Sequence, residues 1–291
     1  MDILTNYTFQ IVALGSVLLA VAAAPVGAFS VYKGQSLIGD AIGHSTFPGI
    51  ILAYMAFATR SPVILLAGAI LAGAASYALI QLAHRDKRLG LDANLAIFLS
   101  GFFGLGMALK SFIQGNPDYA GASQAGLGTY IFGQAAYMLE ADVLLIAAIS
   151  ALVLTLLLLF YKELKLFVFD AEYAEVVGLP CRLLNLLLLV MTIAVIGIGI
   201  KAVGAILISS FLIIPCVAAN QWSNNFARVL LLSSLIGAVS ALVGTYISTL
   251  EQGMSTGPSI ILVASLIAFF SIVFGTKGIL GSVLKRRRTH G

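Results

Sequence analysis

Glu140-Ala-Asp-Val-Leu-Leu-Ile-Ala-Ala-Ile-Ser-Ala-Leu-Val-Leu-Thr-Leu-Leu-Leu-Leu-Phe-Tyr161 shows the class of structure most plainly. Between Asp142 and Lys162 lie 19 residues without a charge. About 20 apolar residues are what a helix needs to cross the hydrocarbon core of a bilayer. A lipid-facing β-strand would instead alternate polar and apolar over about ten residues. This run therefore reads as a membrane-spanning α-helix, and the rest of the chain repeats the pattern. Apolar stretches stand at about 8–31, 38–58, 61–82, 93–113, 140–161, 183–200, 202–219, 229–249 and 258–276. The expected fold is all-α and polytopic, with about nine transmembrane helices.

Composition supports the same class. Of 291 residues 60% are hydrophobic and 10% charged, and the mean hydropathy is +1.05. A soluble domain carries about 25% charged residues, so this chain has too few to clothe a water-facing surface. It reads as one transmembrane domain over 1–291, without a sizeable extramembrane part. Cys181 and Cys216 fall in or beside apolar segments and read as small packing residues rather than as a disulfide. The net charge of +4 owes much to the tail Lys285, Arg286, Arg287 and Arg288, which follows an apolar helix and reads as a topological anchor. It does not indicate a nucleic-acid partner.

The basic residues set the orientation, because Lys and Arg accumulate in cytoplasmic loops. With the N-terminus outside and the C-terminus cytoplasmic, Lys33, Arg85, Lys87, Arg88, Lys162, Lys165, Arg182, Arg228, Lys277 and the four tail residues lie inside. Only Arg60, Lys110 and Lys201 lie outside. The first span has no basic residue before it and meets Lys33 after it, the reverse of a secretory signal. Segment 114–139 is polar and Gly-rich and reads as a re-entrant or surface helix. Asp118, Glu140, Asp142 and Glu251 then gather on the outer side, where they would concentrate cations. Pro48 and Pro215, each inside an apolar stretch, are candidate helix breaks.

Chemistry concentrates in Gly34-Gln-Ser-Leu-Ile-Gly-Asp40-Ala-Ile-Gly-His44-Ser-Thr-Phe-Pro48-Gly49. Asp40 and His44 are four apart, which puts them on one helical face a turn from each other. Ionisable residues inside membrane segments are costly and face ion paths or partners. A carboxylate oxygen with an imidazole nitrogen suits Mn²⁺, Zn²⁺ or Fe²⁺. Two ligands hold an ion weakly, but the same pair from a second subunit across a two-fold axis would make four. In the bland alternative Asp40 caps its helix and His44 bonds a neighbouring helix.

A second stretch, Phe167-Val-Phe-Asp170-Ala-Glu172-Tyr-Ala174-Glu175-Val-Val-Gly178-Leu-Pro180, lies on the expected cytoplasmic side. Asp170 is placed to cap, Glu172 favours the positive helix start, Gly178 suits a left-handed stop and Pro180 prevents continuation. It reads as a helix of about two turns over 171–178. Such a helix is too short to persist alone, so it rests on the protein body or on a partner. A plain connecting helix is the other reading.

Both stretches resemble the two signatures of the ABC-type manganese/zinc/iron permease family, the membrane subunits of bacterial ABC metal importers. Leu212-Ile-Ile-Pro-Cys216-Val-Ala-Ala219 resembles a further motif of that family, and the similarity runs from the first span to the ninth. The resemblance implies that Asp40 and His44 are metal-path ligands and that 171–178, with Asp170, Glu172, Ala174, Glu175 and Gly178, is the coupling helix that docks into an ATPase. It also implies a second permease subunit, cytoplasmic ABC ATPase subunits, an extracytoplasmic metal-binding solute-binding protein and a place in the bacterial cell membrane. The metal, with a slight lean to Mn²⁺ over Zn²⁺ or Fe²⁺, is then cargo and not a permanent cofactor.

The chain has no phosphate loop of the form G-x-x-x-x-G-K-[ST], so ATP would be hydrolysed by another polypeptide and the chain itself is not expected to be an enzyme. A zinc hydrolase would need three protein ligands with a general base, and no H-E-x-x-H occurs. An ion-gradient-driven secondary metal transporter is the remaining alternative. It requires titrating charges within the spans, and apart from Asp40 the acidic residues fall at span ends or in loops.

Overall fold

A computed structural model describes residues 6–59, 61–84, 90–116, 119, 138–250 and 254–278. Among them are eleven α-helices and no strand: α1 Tyr7–Tyr32, α2 Ile38–Phe57, α3 Pro62–His84, α4 Leu91–Gly115, α5 Glu140–Leu159, α6 Tyr161–Phe169, α7 Ala171–Val176, α8 Cys181–Ala202, α9 Ala205–Asn220, α10 Phe226–Leu250 and α11 Thr256–Phe274. Each of the nine apolar stretches corresponds to one of the longer helices. Seven of these are long and apolar enough to cross a membrane. The two that fall short are α2, which carries Asp40, His44, Ser45 and Thr46, and α9, which has 16 residues.

Large apolar side chains make up much of the surface of the described spans. Leu144, Leu231 and Phe269 are each at least 70% exposed. Inside, α1 is the central helix, with α5, α8, α9 and α10 around it. A second group forms where α2 lies against α3 and α4, and α9 joins the two by packing on both α1 and α2.

Small residues permit these approaches, since helices in lipid associate through close van der Waals packing rather than through hydrophobic exclusion. A Cβ on Gly49 of α2 would stand 2.2 Å from the Gly68 carbonyl oxygen of α3, and a Cβ on Gly68 would stand 2.4 Å from the Gly49 carbonyl. At the α1–α9 crossing a Cβ on Gly27 would meet the Leu212 carbonyl oxygen at 1.9 Å. Backbone touches backbone at both crossings, which fixes α2 and α9 to the body of the protein.

The expectation of broken helices at Pro48 and Pro215 is corrected. Both prolines lie inside continuous helices. A proline removes one N–H and crowds one carbonyl, and a membrane helix tolerates that where neighbours pack tightly around it. Gly106 of α4 makes room at Pro48, where a Cβ would come within 3.1 Å of the proline Cδ. Residues 117–118 and 120–137, most of the stretch expected to form a re-entrant or surface helix, lie outside the described residues, as do Arg60, Arg85, Lys87, Arg88, Asp118, Glu251 and the basic tail.

Candidate metal site and coupling helix

The chain reverses tightly between α1 and α2. Gly34 has φ +74°, and the Gln35 amide donates to the Ser30 carbonyl at 2.9 Å. Leu37 holds the N-cap position of α2. Asp40 is thus the third residue of the helix and does not cap it, which removes that alternative. Its place in the first turn still puts the carboxylate near the positive end of the helix.

One turn on, His44 Nε2 lies 3.4 Å from Asp40 Oδ1, with the two side chains 13% and 30% exposed respectively. That distance exceeds the about 2.7–2.9 Å of a charge-assisted hydrogen bond, so the groups touch without being locked together. An ion about 2.1 Å from both atoms would see them at roughly 110°, since half of 3.4 Å over that length is the sine of half the angle. The imidazole also packs edge-on against Phe103 of α4, with ring centroids 4.9 Å apart. Phe103 was not singled out in the sequence, where it is one aromatic residue in an apolar run. Among the described residues no group of three His, Cys, Asp or Glu side chains stands together, so within this chain Asp40 and His44 are a pair.

The opposite side of α2 faces inward. Ile38 and Ile42 wall a narrow cleft that also meets Tyr77, Asn185 and Thr192. Beside it Lys33 Nζ donates to Asn185 Oδ1, and Asn185 Nδ2 donates to the Tyr77 hydroxyl at 2.9 Å. The ammonium also stands 4.8 Å from the centre of the Phe167 ring. Burial pushes the Lys33 pKa down to about 8.

The second stretch folds much as its residues indicate, though the helix is shorter, ending at Val176. Asp170 Oδ1 accepts from the Tyr173 amide at 2.9 Å. At the other end Gly178, at φ +89°, donates to the Glu175 carbonyl while Leu179 donates to the Ala174 carbonyl, each at 3.0 Å. This is a glycine-terminated helix end in which the last carbonyls find partners. Ala174 is fully buried and pins α7 inward, while Asp170, Glu172, Glu175 and Gly178 are exposed. Tyr173, Val176 and Val177 are exposed too, Val176 by 83%. An apolar group flanked by carboxylates thus faces outward beyond the spans.

An aromatic cluster missed in the sequence lies behind α7. Phe226, at the start of α10, has ring centroids 4.9 Å from Phe29, 5.0 Å from Tyr32 and 5.2 Å from Phe169. Phe169 immediately precedes the Asp170 cap. Of the acidic residues expected on the outer side, Glu140 accepts from the Tyr7 hydroxyl and Asp142 from the Leu139 amide, so both serve helix ends. Cys181 and Cys216 are buried and free.

Comparison with known proteins gives one consistent result. Residues 5–275 match the family described as the ABC 3 transport family. The zinc transport system membrane protein TroC of Treponema pallidum is 39% identical, over 99% of this chain and 96% of that protein. The manganese transport system membrane protein MntC of Bacillus subtilis is also 39% identical, over 96% of this chain and 65% of its own length. Among solved structures, PsaBC from Streptococcus pneumoniae in complex with Fab aligns with a TM-score of 0.82 at 26% identity, covering 94% of each chain. With a multi-pass helical architecture, a family match over nearly its whole length and relatives of this similarity, the chain belongs to the ABC 3 transport family.

Proposed function

We propose that the chain is the permease subunit of an ATP-driven importer of divalent transition-metal ions. The cargo is Mn²⁺, Zn²⁺ or Fe²⁺, the ions that a carboxylate and an imidazole share as ligands. The observation that carries the reading is the Asp40/His44 pair, in contact on a partly open face of α2. That face leaves room for a second permease to bring its own pair across a two-fold axis, completing four ligands around one ion. The zinc and manganese systems named among the relatives support the cargo class.

In this reading α2 and α9 also cross the membrane, giving nine spans with the N-terminus outside and the C-terminus cytoplasmic. The short length of α9 is compensated by its burial among α1, α2, α10 and α11, where protein rather than lipid surrounds it. The segment 171–178, with α7 and its glycine stop, is the coupling helix of this single transmembrane domain. It offers Tyr173, Val176 and Val177 to a cytoplasmic ATPase, with Glu172 and Glu175 at the edge of the contact. A solute-binding protein delivers metal from outside. Closure of the ATPases pushes on α7, the permeases rock, and the metal pair faces each side in turn. Release requires affinity to fall on one side, and separating the two Asp/His pairs does so by halving the ligand set.

Reconstitution into proteoliposomes with the ATPase subunits that co-purify tests this. Metal uptake should require ATP, and should cease on ATP withdrawal even with proton and sodium gradients imposed. Uptake driven by a gradient alone would instead make the chain a secondary transporter.

A further inference from the structure

Lys33 is outside both functional stretches, yet it lies between them. It is the last residue of the α1 end, where its amide donates to the Phe29 carbonyl at 3.0 Å, and five residues later α2 begins. Its side chain does not extend into solvent as lysines do at membrane edges. It turns inward to donate to Asn185 of α8 and to lie over the Phe167 ring of α6. Phe167 is buried and stands one helical turn before Asp170, the cap of α7. Among the described residues no carboxylate forms an ion pair with Lys33.

An ammonium placed in such surroundings without a counter-ion is expensive, and an exposed alternative was available to a flexible four-carbon stem. The two contacts that hold it also join separate parts of the molecule. Through Phe167 it touches the segment that carries α7. Through the backbone it is joined to the tight turn at Gly34 and thence to the start of α2, which carries Asp40 and His44. Asn185, bonded in turn to Tyr77 of α3, fixes the ammonium from the other side.

We propose that Lys33 is a positioning residue that transmits displacement of α7 to the first turn of α2, its ammonium binding the α6–α7 segment to the link between α1 and α2. This rests on the importer reading. It goes beyond it in assigning the connection to one cation and its two partners, a ring and an amide. A hydrocarbon of the same length would fill the space but would hold neither partner in register. A guanidinium would hold both, by the same hydrogen bond and a comparable attraction to the ring face.

The test uses the complete transporter, purified with its co-purifying ATPases and reconstituted with ⁵⁴Mn²⁺ or ⁶⁵Zn²⁺ as probe. Three quantities are read: metal imported per ATP hydrolysed, metal affinity without nucleotide, and the amount of ATPase bound. Lys33→Met should lower metal per ATP by about tenfold, the scale of one contact within a coupled network, and leave affinity and ATPase content unchanged. Lys33→Arg should restore most of the ratio. Lys33→Met combined with Phe167→Leu should be no worse than Lys33→Met alone, because both remove one connection. Unchanged coupling in Lys33→Met, additive losses in the double variant, or failure of Lys33→Arg to rescue would overturn the assignment. If Lys33→Met does not assemble, Asn185→Leu is measured in its place, and normal coupling in that variant overturns it equally. A wild-type complex that hydrolyses ATP but imports neither metal overturns the importer reading and this inference with it. Import by wild type and Lys33→Met alike overturns the inference alone.

Discussion

Asp40, His44 and Lys33 are all ionisable, and their surroundings treat them differently. Asp40 and His44 share one face of α2 and remain partly open, which the proposed uptake and release of an ion would require. Lys33 is turned inward with an amide and a ring as partners. Its lowered pKa has a consequence for stability. Below about pH 8 the ammonium is protonated in both folded and unfolded chains, and the desolvation cost of burying it is fully present. As pH rises from there towards the ordinary lysine value of 10.5, the folded protein gives up its proton first, the unfolded chain binds more protons, and stability increases. Thermal unfolding of the detergent-solubilised protein should therefore shift in favour of wild type over Lys33→Met between pH 7.5 and 9.5. An equal response of both proteins to pH would show that Lys33 is not desolvated. The acid and the imidazole were legible from their spacing alone, since polar residues four apart in an apolar run are conspicuous. Phe103, which packs on His44, was not, because a phenylalanine among apolar residues carries no sign of which neighbour it meets.

Among the helices, α7 shows how fully a short element is determined by its ends. Asp170 supplies the cap, Gly178 the left-handed stop, and Ala174 the one buried side chain between them. No atom would obstruct a Cβ at Gly178, so a substitution there acts through the backbone and not through packing. Gly178→Ala should destabilise this end by about 1 kcal/mol, as L-residues resist a positive φ. It should loosen α7 without unfolding the spans: hydrogen exchange at Tyr173 to Leu179 should rise, metal imported per ATP should fall, and metal binding should be unaltered. Unchanged exchange over those amides would contradict the account of how the helix ends. The longer helices were legible for a different reason, as runs of apolar residues between polar or glycine-containing links. Their faces were not. A helix that is apolar all round has no polar side to mark what points outward, so the centrality of α1, the Gly49–Gly68 crossing and the rings around Phe226 emerge only from packing. Pro48 and Pro215 misled for a related reason, because their effect depends on the neighbours that support the helix.

At the scale of the whole molecule, the helices form two groups, to which the proposed function gives separate tasks. The α2–α4 group presents the Asp/His face, and the α1-centred group carries the segment leading to α7. They meet where α8 and α9 pack on both, and where the link after Lys33 passes from α1 to α2. Family membership accounts for this division in a transport protein, while the cargo and the shared site rest on Asp40 and His44. The most direct measurement is the metal content of the purified, nucleotide-free complex after equilibration with Mn²⁺ or Zn²⁺ and gel filtration, for wild type, Asp40→Asn and His44→Ala. One ion for every two permease subunits is expected in wild type and almost none in either variant, with assembly intact. Equal metal retention in all three would contradict this, and would place the ion on other residues.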